Sequence, residues 1–228
     1  MPDLHTLKVV LTIISGLCWT IVYIEGLRVG LKDRSYAIPF FALALNIAWE
    51  FIHSISGFRE RAGLQALINA VWFLLDLAII YTYFRFGRRY FPKSFPQSWF
   101  VAWSVIVLFS AFVIEYAFTR ELGNFKGGAY AAFLQNLVMS VLFIDMLASR
   151  GSREGQSLLL AVNKWIGTLA PTIQFGLIGD LGFPKGSYLV LVLGGFCSVF
   201  DLIYIWLLTR MKQVQRFPPI TQIQRAKG

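Results

Sequence analysis

Residues 188–209 read YLVLVLGGFCSVFDLIYIWLLT, an apolar run interrupted by a single charged side chain, Asp201. A bilayer core roughly 30 Å thick needs about 20 such residues in one helix, so this run predicts a transmembrane span. Six more runs of the same kind lie upstream, at 7–27, 36–55, 64–84, 99–118, 129–148 and 158–178. Together they take well over half of the 228 residues and account for a composition 57% hydrophobic, 16% aromatic and only 14% charged. A soluble domain carries about 25% charged residues, and a disordered chain combines low hydrophobicity with high charge. Both classes are excluded. The expected fold is all-α, one polytopic seven-transmembrane-helix bundle over residues 1–228 with short connections.

The formal net charge of +9 reports topology. Fourteen of the 21 Lys and Arg fall in one set of loops: Arg28, Lys32 and Arg34; Arg85, Arg88, Arg89 and Lys93; Arg150 and Arg153; and the tail from Arg210 to Lys227. The opposite set holds Lys8, Arg59, Arg61, Arg120, Lys126 and Lys185. The positive-inside rule makes the first set cytoplasmic, which places the N-terminus outside or lumenal and the C-terminus in the cytoplasm. The first span lacks a basic n-region and a small-residue cleavage site, so it reads as a retained helix. Ser15-Gly16-Leu17-Cys18 is only a faint lipoprotein box, with Leu17 where a small residue is wanted. Cys18 and Cys197 both lie within spans, where free cysteine behaves as a small hydrophobe. The sixth span carries Lys164 and Pro171. The lysine is expected to snorkel to the headgroups, and the proline to be tolerated where a neighbour re-satisfies the freed carbonyl.

An ionisable group in a bilayer is costly and marks a functional candidate facing the bundle interior. Glu25, Asp145 and Glu115 lie near span ends and are expected to pair with Arg28, Arg150 and Arg120. Glu50, Asp76 and Asp201 are deeper. Asn46, Glu50 and His53 share one helical face, four and three residues apart. Asp76 shares its face with Asn69 and Trp72, and Asp201 shares its face with Cys197 and Tyr204. With about 1.5 Å of rise per residue, Glu50 and Asp201 are offset by about 10 Å along the membrane normal. A carboxyl desolvated in an apolar cavity is costly to ionise, so it can be kept neutral as a water-excluded proton donor. The bland alternative is that these acids bond to Asn46, Asn69, Asn136, Gln135 or Gln174 and fasten helices together. Trp49 and Trp72 lie deeper than an interfacial belt requires, and aromatic faces stabilise cations. An acid beside aromatic faces suits a carbocation cascade.

Familiar sites are absent from the sequence. The seventh span has no lysine for a retinal Schiff base, and Glu50-x-x-His53 is half of a di-iron set whose second motif is missing. There is no Asp-rich diphosphate motif, no Asp-x-Asp-Asp, no Gly-x-Ser-x-Gly and no phosphate loop. Neither a metal nor a cofactor is expected, and the basic balance, being topological, does not point to nucleic acid.

Asn46-Ile47-Ala48-Trp49-Glu50-Phe51 in the second span and Asp201-Leu202-Ile203-Tyr204 in the seventh, with the chain's length and span count, carry a resemblance. The chain resembles the small seven-span membrane terpene cyclases that fold prenylated aromatic precursors into meroterpenoids of the pyripyropene type and indole diterpenes of the paxilline type. The resemblance implies that Glu50 and Asp201 are the essential acids of a metal-independent cyclisation, begun by protonating the epoxide or terminal alkene of a farnesyl or geranylgeranyl chain that usually bears a terminal epoxide. Trp49, Asn46, Trp72, Asp76, Tyr204 and His53 are then the candidate substrate-binding residues. The implied partners are a lipophilic prenylated aromatic substrate, an upstream prenyltransferase and an epoxidase. The location is the endoplasmic reticulum in a fungus or the inner membrane in a bacterium. A small proton-coupled transporter, with Glu50, Asp76 and Asp201 along its path, is the alternative reading.

Overall fold

The computed structural model describes residues 3–61 and 63–211, which form seven helices. They are α1 (Leu4–Lys32), α2 (Phe40–Arg59), α3 (Gly63–Phe86), α4 (Trp99–Leu122), α5 (Asn124–Arg150), α6 (Leu158–Pro171) and α7 (Tyr188–Arg210). A single 3-10 turn, Gly87–Tyr90, follows α3. Six helices are long and apolar enough to cross a membrane. The remaining one, α6, is 14 residues long and continues as a seven-residue π-helical segment, Thr172–Ile178, so the two together cover the expected 158–178 span.

Local chemistry sets the helix ends. Asp3 caps α1 by accepting from the Thr6 N–H, and Ser187 caps α7 by accepting from the Val190 N–H. The second helix starts at Phe40, later than the apolar run, because proline disfavours helical geometry in the residue before it and Pro39 caps the helix instead. It then runs on to Arg59, beyond the apolar stretch. Gly151, in the left-handed region at φ 59°, closes α5 by donating to the Leu147 and Ala148 carbonyls.

Pro171 has no N–H to offer the Gly167 carbonyl one turn earlier. That carbonyl instead accepts from Ser15 Oγ of α1 at 2.8 Å, the compensation a proline inside a span requires. The widened π turn follows. The loop after it is tied to α1 by Lys8, 3.8 Å from Asp180. Burial pushes the Asp180 carboxyl up, but the Gln174 and Leu181 hydrogen bonds and nearby Lys8 more than offset this, leaving it below the usual range.

Packing neighbours trace a closed ring, α1–α3–α2–α4–α5–α7–α6–α1, with α2 also touching α5 across it. Of the apolar window of α2, 61% is buried, against 17–44% for the other five long helices. This helix is the centre of the bundle, and Asn46 and Glu50 are on it. The α4–α5 hairpin turns at Gly123, φ 80°, and a β-carbon at Gly127 would collide with the Phe118 carbonyl of α4. Backbone cannot step aside as a side chain can. Gly127→Ala is therefore expected to cost about 1–3 kcal/mol, visible as a lowered thermal midpoint in detergent with no change in helix content.

Candidate functional site

Five helices each contribute polar side chains to one buried chain of contacts. On α2, the Asn46 amide nitrogen lies 2.6 Å from Tyr23 Oη of α1 and 2.8 Å from Asp76 Oδ2 of α3, as donor to both. Tyr23 Oη in turn meets Glu50 Oε1 in a long contact of 3.4 Å. On the other side of Asn46, the Gln135 side chain of α5 stands 3.2 Å from Asn46 Oδ1. The far end of the same Gln135 amide is 3.2 Å from Glu115 Oε1 of α4 and from the Leu45 carbonyl. Tyr23, Asn46, Glu50, Asp76, Glu115 and Gln135 are all buried. Each carboxyl has one oxygen facing a neighbour, while Glu50 Oε2, Asp76 Oδ1 and Glu115 Oε2 have no hydrogen-bond partner among the described residues. Most buried polar atoms are satisfied, so three such oxygens in one cluster make these carboxyls candidates for chemistry.

The second deep acid sits elsewhere. Asp201 on α7 accepts from Lys164 Nζ of α6 with both oxygens, at 2.8 and 3.0 Å, and the same ammonium donates to Ser140 Oγ of α5 at 2.7 Å. Lys164 and Asp201 have no exposed side-chain surface. This corrects the expectation that Lys164 snorkels to the headgroups. Its register on α6 turns it into the bundle, where only a carboxylate could compensate its charge. Ser140 is five residues beyond Gln135 on α5, about 7.5 Å of rise, a separation of the same order as the offset expected between the two acids.

The structure thus brings Asn46, Glu50 and Asp76 together and sets Asp201 apart in an ion pair. Tyr204 is buried beside Asp201's helix face, donating to Gln156 Oε1 at 2.8 Å and packing on Phe143. Trp72 is half-buried, donates to Thr20 Oγ1 at 3.1 Å and leans on the Tyr23 ring, 5.8 Å away. Trp49 and His53 instead dock α2 on α5. Trp49 Nε1 donates to the Gly128 carbonyl at 2.8 Å, the two rings are 4.4 Å apart, and only glycine at 128 leaves room for the imidazole.

Of the three shallower acids, Glu25 behaves as expected, receiving Arg28 at 2.6 and 2.7 Å. The other two do not. Glu115 is buried and faces Gln135, while Arg120, five residues on and so on a different side of α4, is exposed. Asp145 is exposed, and Arg150 turns to the Tyr36 and Glu154 carbonyls and lies over the Tyr36 and Tyr90 rings. Sequence reading also passed over Tyr23 and the Lys164 partnership. Tyr23 is four residues from Trp19 and two from Glu25, and nothing in that spacing marks it as more than packing.

A cavity of about 710 Å3 opens at the other end of α2, lined among others by Tyr36, Phe40, Tyr83, Tyr90, Phe100 and Trp103. It contains no carboxyl and begins some ten residues of α2 away from Glu50, about 15 Å. The buried cluster therefore remains the candidate for acid chemistry.

Sequence comparisons place the chain among known proteins. The family model of Pyr4-like transmembrane terpene cyclases matches residues 2–214. The terpene cyclase mfmH of Annulohypoxylon moriforme, described as Pyr4-family, is 31% identical over 178 residues, covering 76% of this chain and 73% of that protein. The terpene cyclase adrI of Penicillium rubens is 32% identical over 178 residues, covering 76% and 70%. The terpene cyclase pyr4 of Aspergillus fumigatus is 25% identical over 204 residues, covering 87% and 84%. No solved structure matches the chain.

Proposed function

The chain belongs to the Pyr4-like transmembrane terpene cyclases, and from that premise we propose that Glu50 is the acid that opens the reaction on a farnesyl- or geranylgeranyl-bearing aromatic precursor. One observation supports this above the others: Glu50 is buried with Oε1 toward Tyr23 and with no partner for Oε2 among the described residues, so one oxygen is oriented while the other has no hydrogen bond to give up on meeting a substrate.

The steps balance without an outside reactant. Glu50 gives its proton to the terminal epoxide oxygen, the carbon–oxygen bond breaks toward oxygen, and the tertiary carbon left electron-poor is attacked by the next alkene. Each carbon–carbon bond formed moves the cation along the chain, where aromatic faces such as Trp72 and Tyr204 stabilise it. The last cation loses a proton to form an alkene. Asp201, a carboxylate held by Lys164 and Ser140, supplies negative charge for that closing step and accepts the proton, and once product leaves Asp201 releases a proton and Glu50 takes one up by exchange with solvent, restoring both groups. Asp76 orients the donor through Asn46 and Tyr23. A dry, preorganised pocket fixes the chain's folding and hence the rings formed.

The substrate is lipophilic and reaches the enzyme within the membrane. Its epoxide requires an upstream epoxidase and its prenyl chain an upstream prenyltransferase. The relatives named above are fungal, which favours the endoplasmic reticulum as the compartment. The test follows from the stoichiometry: the purified protein in detergent, given an epoxyfarnesyl aromatic substrate, is expected to return a product of identical mass and different retention. A product heavier by one water, or no conversion by protein shown to be folded, would falsify the cyclisation.

A further inference from the structure

An acid that opens each turnover has to be recharged before the next, and Glu50, only 3% exposed, can be recharged only through protein. On one side its carboxyl meets Tyr23, which leads on to Asn46, Asp76, Gln135 and Glu115. All five are buried, so this cluster does not carry a proton in from solvent. Glu50 has a second polar neighbour on its own helix. His53 stands three residues on, a spacing that sets two side chains on one helical face with β-carbons about 5–6 Å apart.

His53 faces both inward and outward. Its ring is half-buried, yet Nε2 is buried with no hydrogen-bond partner among the described residues, as is Glu50 Oε2. On the outer side its polar neighbours are Asn124 and Glu60, and the Asn124 side chain lies 2.8 Å from Glu60 Oε1. Glu60 is exposed at the end of α2, and Asn124 is half-buried at the start of α5. Polar groups thus run inward along α2 from Glu60 and Asn124 through His53 to Glu50. Of these, the imidazole is the group that can take a proton on one nitrogen and give one from the other. The ring is also held in place. It packs on Trp49, whose indole is fixed to the Gly128 carbonyl, and it lies where any β-carbon at Gly128 would strike it. Docking α2 on α5 explains the packing, but it does not explain a buried nitrogen left without a bond, which is rare in folded proteins.

We propose that His53 returns the proton to Glu50 after each turnover, drawing it from the end of the bundle that carries Glu60 and Asn124. The proposal rests on Glu50 as the acid. Once Glu50 has protonated substrate it is a carboxylate. An imidazole N–H then breaks as the Glu50 O–H forms, directly or across one water, and the ring takes a proton from solvent on its outer side. The charge of the ring is unchanged over the cycle, and nothing but a solvent proton is consumed. His53 acts through Glu50, so an enzyme that starts with Glu50 protonated completes its first turnover without it.

That separation is the test. With enzyme in excess over an epoxyfarnesyl aromatic substrate, His53→Gln is expected to complete its single turnover within about twofold of the parent rate, since single-turnover kinetics isolate the chemical step. Its steady-state kcat is expected to fall by about 100-fold, the lower end of what a positioned proton-transferring side chain contributes. His53→Ala is expected to behave alike and, because it vacates the space of the ring against Gly128, to regain steady-state turnover when imidazole is added. Loss of the first turnover in His53→Gln that melts like the parent makes His53 a docking or substrate residue and overturns the proposal. So does an unchanged kcat, or a kcat loss in folded His53→Ala that imidazole leaves in place. Glu50→Gln tells the two failures apart. If it loses the first turnover while the His53 variants keep full kcat, the acid stands and the return route falls; if it stays active, the acid assignment itself falls.

Discussion

Glu50→Gln is expected to reduce cyclisation by about 100-fold to 10,000-fold, the range that positioned general acids contribute, while leaving the protein folded. The amide is nearly isosteric with the acid, and its carbonyl can still accept from Tyr23, the one hydrogen bond that holds the Glu50 carboxyl. What it lacks is a proton acidic enough to open an epoxide. The measurement is turnover of an epoxyprenyl aromatic substrate in microsomes, normalised to protein that elutes as a single species from detergent chromatography. Asp76→Asn provides the internal comparison. Asp76 is hydrogen-bonded to Glu50 indirectly, through Asn46 and Tyr23, so its loss is expected to be smaller than that of Glu50→Gln. Turnover of Glu50→Gln within a few-fold of the parent protein sinks the acid assignment, and an Asp76→Asn defect exceeding it transfers the role to Asp76.

The fold was legible because a bilayer imposes one requirement on every span, and hydropathy states it directly. The sixth expected span takes the form of a short α6 with a π-helical continuation, and its proline is accommodated by a serine on α1 that no pattern within the span announces. The site was half legible. Asn46, Glu50 and Asp76 stand out because polar groups are rare in apolar runs, and spacing along one helix relates Asn46 to Glu50. Helical spacing says nothing about neighbours on other helices, however. Lys164 reads as a snorkelling residue until α6 is placed against α7, and Glu115 reads as an end-of-span carboxylate until α4 is placed against α5. Tyr23 was invisible for a different reason. One tyrosine among 9, in a chain with 21 Phe and 7 Trp, carries no signal until its hydroxyl is found between an amide and an acid.

Lys164 and Asp201 make the sharpest separation between holding the fold and doing the chemistry. Two charges taken wholly out of water cost several kcal/mol each, and their attraction repays this only where geometry is good. Here one ammonium meets both carboxylate oxygens and a hydroxyl, yet a pair of this kind is often no more stabilising than apolar residues of equal volume. Breaking it from one side is another matter. Lys164→Met leaves a buried carboxylate and Asp201→Leu a buried ammonium, so each single variant is expected to lose about 3–5 kcal/mol of stability. The double variant Lys164→Met/Asp201→Leu carries no buried charge and is expected to recover most of the thermal midpoint in detergent. If Asp201 supplies the charge that steadies the last cation and takes its proton, the recovered fold stays inactive, with substrate still bound. Were the pair only a fastener between α6 and α7, turnover would return along with stability. Thermal unfolding and turnover measured on the same three preparations decide between these outcomes, because misfolding alone cannot explain an inactive double variant that melts like the parent.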